Sequence, residues 1–245
     1  MAVICIAGAA PGIGKTAVAE LLLPEFRGWH VARVRVADEI GQGEAALLND
    51  QGFALLPAAR NTAADAETAR LQDAGQTSDA ELARLHTTGV PGVSVLLAEP
   101  RGLDAGIHAL LAALPRGANL VVEGNAYLWA RDADVAVMVL GAGPSGKGLV
   151  RVRQSVREIF QKIHIWAWNT RRDPDSEGFY EFPQAMARMG FRQTVSNRAD
   201  FHPVNPPVAN YHGNPPFLRS VQEALERSRW RAGSDEFLRK AGFDV

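Results

Sequence analysis

Three side-chain types that together can hold a polyphosphate occur in one short stretch near the N-terminus, Gly8-Ala9-Ala10-Pro11-Gly12-Ile13-Gly14-Lys15-Thr16. Glycines let backbone N–H groups turn inward around anionic oxygens, a lysine reaches the terminal phosphates, and a hydroxyl directly after it can hold Mg²⁺. Read strictly, the first glycine of the pattern falls on Ala9, with Gly8 one place early, and a small residue is tolerable there. The apolar run Val3 to Ala7 precedes the stretch and a helix-like segment from Thr16 to Leu23 follows. That strand-to-helix context argues against a mere glycine turn carrying a surface Lys15. It predicts that Gly12, Ile13, Gly14, Lys15, Thr16 and Ala17 contact a nucleotide, with Lys15 as the catalytic cation.

Such a loop needs a carboxylate beside it. Leu120-Val121-Val122-Glu123-Gly124 is an apolar strand ending in an acid, so Glu123 is the first candidate to face Mg²⁺ with Thr16, and Glu99, ending Val95 to Ala98, is the competitor. Asp38, or Glu39 beside it, is placed just past a strand where it could position the attacking group, or it could cap a helix. Asn169 ends the apolar run Ile163 to Trp168, and its amide can both donate to and accept from a nucleobase. The guanine-reading pattern Asn-Lys-x-Asp is not met, because Thr170 replaces lysine and the acid comes late at Asp173, so the nucleotide is ATP or GTP. A second glycine stretch, Gly141 to Lys147, is followed by Gly148 rather than a hydroxyl and cannot supply the metal ligand. Gly146, Lys147 and Arg151 are candidates for a second anion site, against the alternative of a glycine turn with a solvated basic face.

These residues are positioned by alternating elements. Strands are expected at His30–Val36, Val93–Glu99, Asn119–Gly124, Val135–Gly141 and Lys162–Asn169, with helices at Leu103–Leu114 and Leu149–Gln161. The apolar strands separated by helices predict an α/β, three-layer domain with a mostly parallel central sheet. Arg33 and Arg35 suggest that the strand carrying them is less buried than the first. Residues 41–89, poor in large apolar side chains, read as a polar helical insert with helices at Thr62–Leu71 and Ser78–Leu85. A short helix near Phe182–Met189, a strand at Phe191–Val195 and a final helix at Phe217–Ser228 follow, around an irregular Pro-rich loop at 200–216 that could fold over a base. His202 and His212 in that loop lack a third ligand spaced with them.

Composition narrows the classes. The 245 residues suit one domain spanning 1–245 with a Pro-rich C-terminal extension, and Lys+Arg 26 against Asp+Glu 27 suggests neither a nucleic-acid nor a membrane partner. The single cysteine, Cys5, cannot form an internal disulfide. No charged start followed by a long apolar stretch occurs, which predicts a cytoplasmic protein.

Ala9 to Thr16, Val121 to Gly124 and Asn169 together resemble the P-loop NTPase group containing molybdopterin-guanine dinucleotide biosynthesis protein B and, more distantly, dethiobiotin synthetase. The former carries Asp-x-x-Arg-x-x-x-Ala-Gly after its loop, and Glu67 to Gly75 is similar, with Glu67 for the acid. The dethiobiotin-type continuation Glu-Gly-Ala-Gly-Gly is absent, since Glu123-Gly124 runs into Asn125-Ala126-Tyr127. The resemblance implies a slow Mg²⁺-dependent hydrolase acting on a client protein in cofactor or metalloenzyme maturation. A small-molecule kinase or ligase with an anionic acceptor, and a nucleotide-binding scaffold without turnover, are the alternatives. An arginine completing the site could come from a partner or from a second copy in a homodimer, a contribution on the order of 10³ to 10⁵ in rate.

Overall fold

The computed structural model describes residues 1–36, 45–56, 90–142, 152, 154–172 and 201–240. Every residue of the first strand, β1 (Val3–Gly8), is buried, as a strand covered on both faces must be. It lies inside an eight-stranded sheet with β2 (His30–Val36), β3 (Phe53–Leu56), β4 (Val93–Ala98), β5 (Leu120–Glu123), β6 (Val135–Gly141), β7 (Ile165–Asn169) and β8 (Phe201–Val204), in the order β3-β4-β2-β5-β1-β6-β7-β8. All neighbours run parallel except β3 against β4.

Period-two alternation divides each strand between two cores. Ile4, Ile6 and Val121 face Val18 and Leu22 of α1 (Lys15–Leu22) together with Phe217 and Val221 of α5 (Asn214–Lys240). Cys5, Ala7 and Val122 face α2 (Leu103–Ala113) through Leu103, Ile107 and Leu110, α3 (Asn125–Ala130) through Tyr127 and Leu128, and α4 (Gln154–Arg157) through Val156. Helices on both faces of a mostly parallel sheet make the expected three-layer α/β domain.

Several elements differ from the sequence reading. Strand β2 is interior, between β4 and β5, and five of its seven residues are buried, including Arg33 at 6% exposure. It is less buried than β1, as expected, since His30 and Arg35 are only partly covered, but Arg33 itself is buried because it has a buried acid to pair with. Strand β3 lies within the stretch read as a helical insert, where four apolar residues are too few to show a period. Of the stretch 200–216 read as an irregular loop, the described residues 201–216 hold β8 and the start of α5 in addition to irregular backbone. Pro203 is tolerated because β8 is an edge strand. Pro215 and Pro216 occupy the first turn of α5, where a backbone N–H has no helical partner to lose. Only Gln154–Arg157 of the helix expected at 149–161 is α-helical among the described residues, followed by a 3₁₀ turn at Phe160–Lys162. Helix α5 continues to Lys240 with Trp230 and Phe237 exposed. The helices expected at 62–71, 78–85 and 182–189 and the strand at 191–195 lie outside the described residues.

Cys5 is fully buried on β1, where its S–H donates to Gly124 O at 3.5 Å, and burial pushes its thiol far above the ordinary range. The native protein should therefore not react with an aromatic disulfide reagent, and should release one equivalent of chromophore only when unfolded in guanidinium. Rapid reaction of the folded protein would contradict this placement.

Candidate functional site

The loop after β1 is clamped at both ends by asparagine amides. The side chain of Asn125, opening α3, donates through Nδ2 to Gly8 O (2.9 Å) and accepts from Gly8 N–H through Oδ1 (2.7 Å). At the far end Asn169, closing β7, donates through Nδ2 to Ile13 O (2.9 Å) and accepts from Arg171 N–H (3.1 Å). Between the clamps Gly12 and Gly14 have φ of 65° and 102°, conformations disfavoured for residues with a Cβ. Gly8 has a different reason to be glycine. A Cβ there would come within 2.8 Å of both Ile13 Cγ2 and Lys15 Cγ. The early glycine is thus what lets the loop fold back over the strand end.

Helix α1 begins directly after Gly14 with no side-chain cap. Its first-turn N–H groups are left for an anion, and the helix dipole favours one. The stem of Lys15 lies over Gly8, and its ammonium makes no ion pair or hydrogen bond among the described residues.

Thr16 and Glu123 meet. Glu123 ends β5, which pairs with β1 (Ile6 opposite Glu123), and Thr16 Oγ1 donates to Glu123 Oε2 at 3.0 Å. Strand β2 adds a third group, because Arg33 stands opposite Glu123 in the register and its Nη2 lies 3.0 Å from Glu123 Oε2 and 3.0 Å from Thr16 Oγ1. All three residues are buried. The competitor Glu99 follows β4, which β2 and β5 separate from β1, and it pairs with Arg101 at 2.6 Å on the surface. The geometry therefore brings Glu123, and not Glu99, to Thr16. A hydroxyl and a carboxylate are hard oxygen donors suited to Mg²⁺, so the donor set fits. Both oxygens are at the same time held by a guanidinium.

A cavity of about 220 Å³ opens beside the loop, lined by Gly12, Ile13, Gly14 and Ala17, by Gly141, Ala142, Asn169 and Arg171 at the ends of β6 and β7, and by Pro207. The polar ends of Asn169 are engaged in bracing, but the residue lines this space. On the other side of the loop a smaller cleft of about 30 Å³ is bounded by Ala9, Pro11, Lys15, Asn125 and the half-exposed Trp129, whose indole N–H donates to Ser155 O (3.1 Å). Among the sequence candidates, Gly12, Ile13, Gly14, Lys15, Thr16, Ala17, Glu123 and Asn169 are thus gathered around the loop. Asp38, Glu39, Gly146, Lys147 and Arg151 lie outside the described residues.

Three residues escaped the sequence reading. Asn125 was visible only as the departure after Glu123-Gly124, and Arg171 only as a neighbour of Asn169. Arg33 had the plainest signal, since a cation in an otherwise apolar strand requires an acid on an adjacent strand.

A glycine-rich turn joining a buried parallel strand to a helix, with the acid of the adjacent strand hydrogen-bonded to the hydroxyl after the lysine, is the architecture of the phosphate-loop α/β class. No protein-family model matches the chain, and no curated protein matches it. Among solved structures it is similar to LpxK from Aquifex aeolicus, determined in complex with ATP, at a TM-score of 0.41 and 15% identity over 91% of this chain and 80% of that one. No helix among the described residues is long and apolar enough to cross a membrane.

Proposed function

We propose that this chain binds a nucleoside triphosphate with Mg²⁺ and catalyses slow phosphoryl chemistry, as an NTPase. The observation that carries the reading is the hydrogen bond from Thr16 to Glu123 at the uncapped start of α1. In this reading the N–H groups of Gly12 to Thr16 hold the β-phosphate and Lys15 neutralises β- and γ-oxygens. Thr16 and Glu123 are the residues that would hold Mg²⁺, directly or through water. The metal, when bound, offsets charge on the transferring group. The larger cavity between Gly14, Asn169 and Pro207 is the place for the base, ATP or GTP, with Asn169 holding the loop against it. Asp38 is kept as the residue that positions the attacking group. Phosphoryl transfer depends on such positioning and neutralisation, and with Arg33 engaged by Glu123 a low intrinsic rate follows. A role in molybdopterin-type cofactor or metalloenzyme maturation, in the cytoplasm and with a client protein or a second copy of the chain supplying the missing cation, rests on the sequence resemblance alone.

A second reading is favoured by the cleft beside Lys15 and Trp129. A small anionic acceptor placed there would make the protein a kinase or ATP-dependent ligase, and nucleotide consumption would then require an added metabolite.

The test is Lys15→Ala. Calorimetric titration with ATP and with GTP should give measurable binding to the wild type and a loss of about 100-fold or more in the variant, with an unchanged circular dichroism spectrum. Equal affinity of the two proteins would sink the proposal.

A further inference from the structure

We propose that Arg33 is a built-in occupant of the metal-facing oxygens, so that a divalent cation enters between Thr16 and Glu123 only together with nucleotide phosphate. Arginine is rarely buried without a defined partner, and here its partners include the two oxygens that a metal would use. Arg33 Nη2 is 3.0 Å from each, and Thr16 Oγ1 and Glu123 Oε2 are themselves 3.0 Å apart, which closes a triangle of three hydrogen-bonded groups. The register holds it in place, because Arg33 and Glu123 stand opposite each other on paired interior strands.

The charges explain the coupling. Arg33 and Glu123 form a neutral pair in which Thr16 accepts from the guanidinium and donates to the carboxylate. A divalent cation arriving alone meets a fixed positive charge and oxygens already in use, and must give up water to bind. Nucleotide phosphates bring several negative charges to the loop, which offset both cations at once. Metal and nucleotide then each raise the affinity for the other by the same factor. Removing Arg33 takes a fixed positive charge away from the buried carboxylate and hydroxyl and frees their oxygens of its hydrogen bonds, so that a divalent cation can enter more readily without nucleotide. Arg33 is accordingly a positioning residue that acts through Thr16 and Glu123.

The experiment is a Mn²⁺ titration of the full chain followed by electron paramagnetic resonance, without nucleotide and with saturating ATP, on wild type, Arg33→Met and Arg33→Lys, with a thermal melt of each. Without nucleotide, Arg33→Met should take up Mn²⁺ on the order of tenfold or more tightly than wild type, and its gain from added ATP should shrink by the same factor. Arg33→Lys keeps the charge on a shorter side chain with a more strongly hydrated head, and should show a smaller change in the same direction. It supplies the comparison if the methionine variant does not fold. Equal Mn²⁺ affinity of wild type and the folded variants in the absence of nucleotide overturns the inference. The inference rests on the nucleotide reading only for the ATP arm. Absence of ATP binding to wild type would overturn that reading, and the metal-only arm would still decide the role of Arg33.

Discussion

Glu123→Leu is expected to lower stability by about 3–5 kcal/mol, which for a chain of this size corresponds to a fall in Tm of roughly 6–20 °C. The cause is not the lost attraction alone. With both side chains only 7% exposed, removal of the carboxylate takes an ion pair away from a guanidinium that stays buried, and one partner removed from a buried pair costs more than the pair itself contributes. Thr16 also loses its hydrogen bond to Glu123. The double replacement Arg33→Met with Glu123→Leu removes both charges and leaves apolar groups of similar volume between β2 and β5. It should recover most of the lost stability. Urea melts of the wild type, the single variant and the double variant make the comparison. A single variant as stable as wild type would show that the pair is not closed as described. The double variant, stable but without the metal-facing carboxylate, should also need far more Mg²⁺ for nucleotide binding, which separates the structural part of Glu123 from its proposed ligand role.

The same pair marks the limit of what the sequence discloses. The acid was readable because Leu120 to Glu123 is an apolar run stopped by a carboxylate, and the loop was readable because its residue types are rare in that order. Arg33 and Arg35 mark a strand less buried than β1, which it is, but local alternation does not report which strands become neighbours, nor that Arg33 meets a buried acid. Strand order brings His30–Val36 against Leu120–Glu123 across a separation of about 90 residues, and no window of sequence contains that contact. The clamps on the loop escaped for the same reason. Asn125 and Asn169 lie 117 and 156 residues from the backbone groups they hold. The layers were legible, since buried parallel strands announce themselves by continuous apolar runs. Short edge strands were not. Phe53–Leu56 and Phe201–Val204 have four residues each, one surrounded by polar sequence and the other containing a proline, so that pairing rather than pattern makes them strands. The length of α5 was underestimated because residues beyond Ser228 turn Trp230 and Phe237 outward and give no inward-facing period to follow.

Gly14→Ala should weaken nucleotide binding by about 100-fold while costing the fold little. Gly14 is at φ 102°, ψ 28°, where an alanine is strained on the order of 1–3 kcal/mol. Its Cβ would in addition clash with Asn169 Nδ2. The loop can relieve both only by turning away from Asn169. That breaks the bond to Ile13 O and rotates the amides at the start of α1 out of the arrangement that receives phosphate. Because the loop is at the surface end of the sheet, this movement leaves both cores packed, and Tm should fall by only a few degrees, about 2–4 °C per kcal/mol. Asn169→Ala tests the two causes separately. Alone it removes the brace on Ile13 and should weaken binding by roughly tenfold. Combined with Gly14→Ala it removes the clash but not the backbone strain. The double variant should then bind about as poorly as Gly14→Ala, because the alanine has already displaced what Asn169 holds. Strictly additive losses in calorimetry would mean that the asparagine acts on the ligand and not through the loop, and wild-type affinity in Gly14→Ala would remove the loop from the binding site altogether.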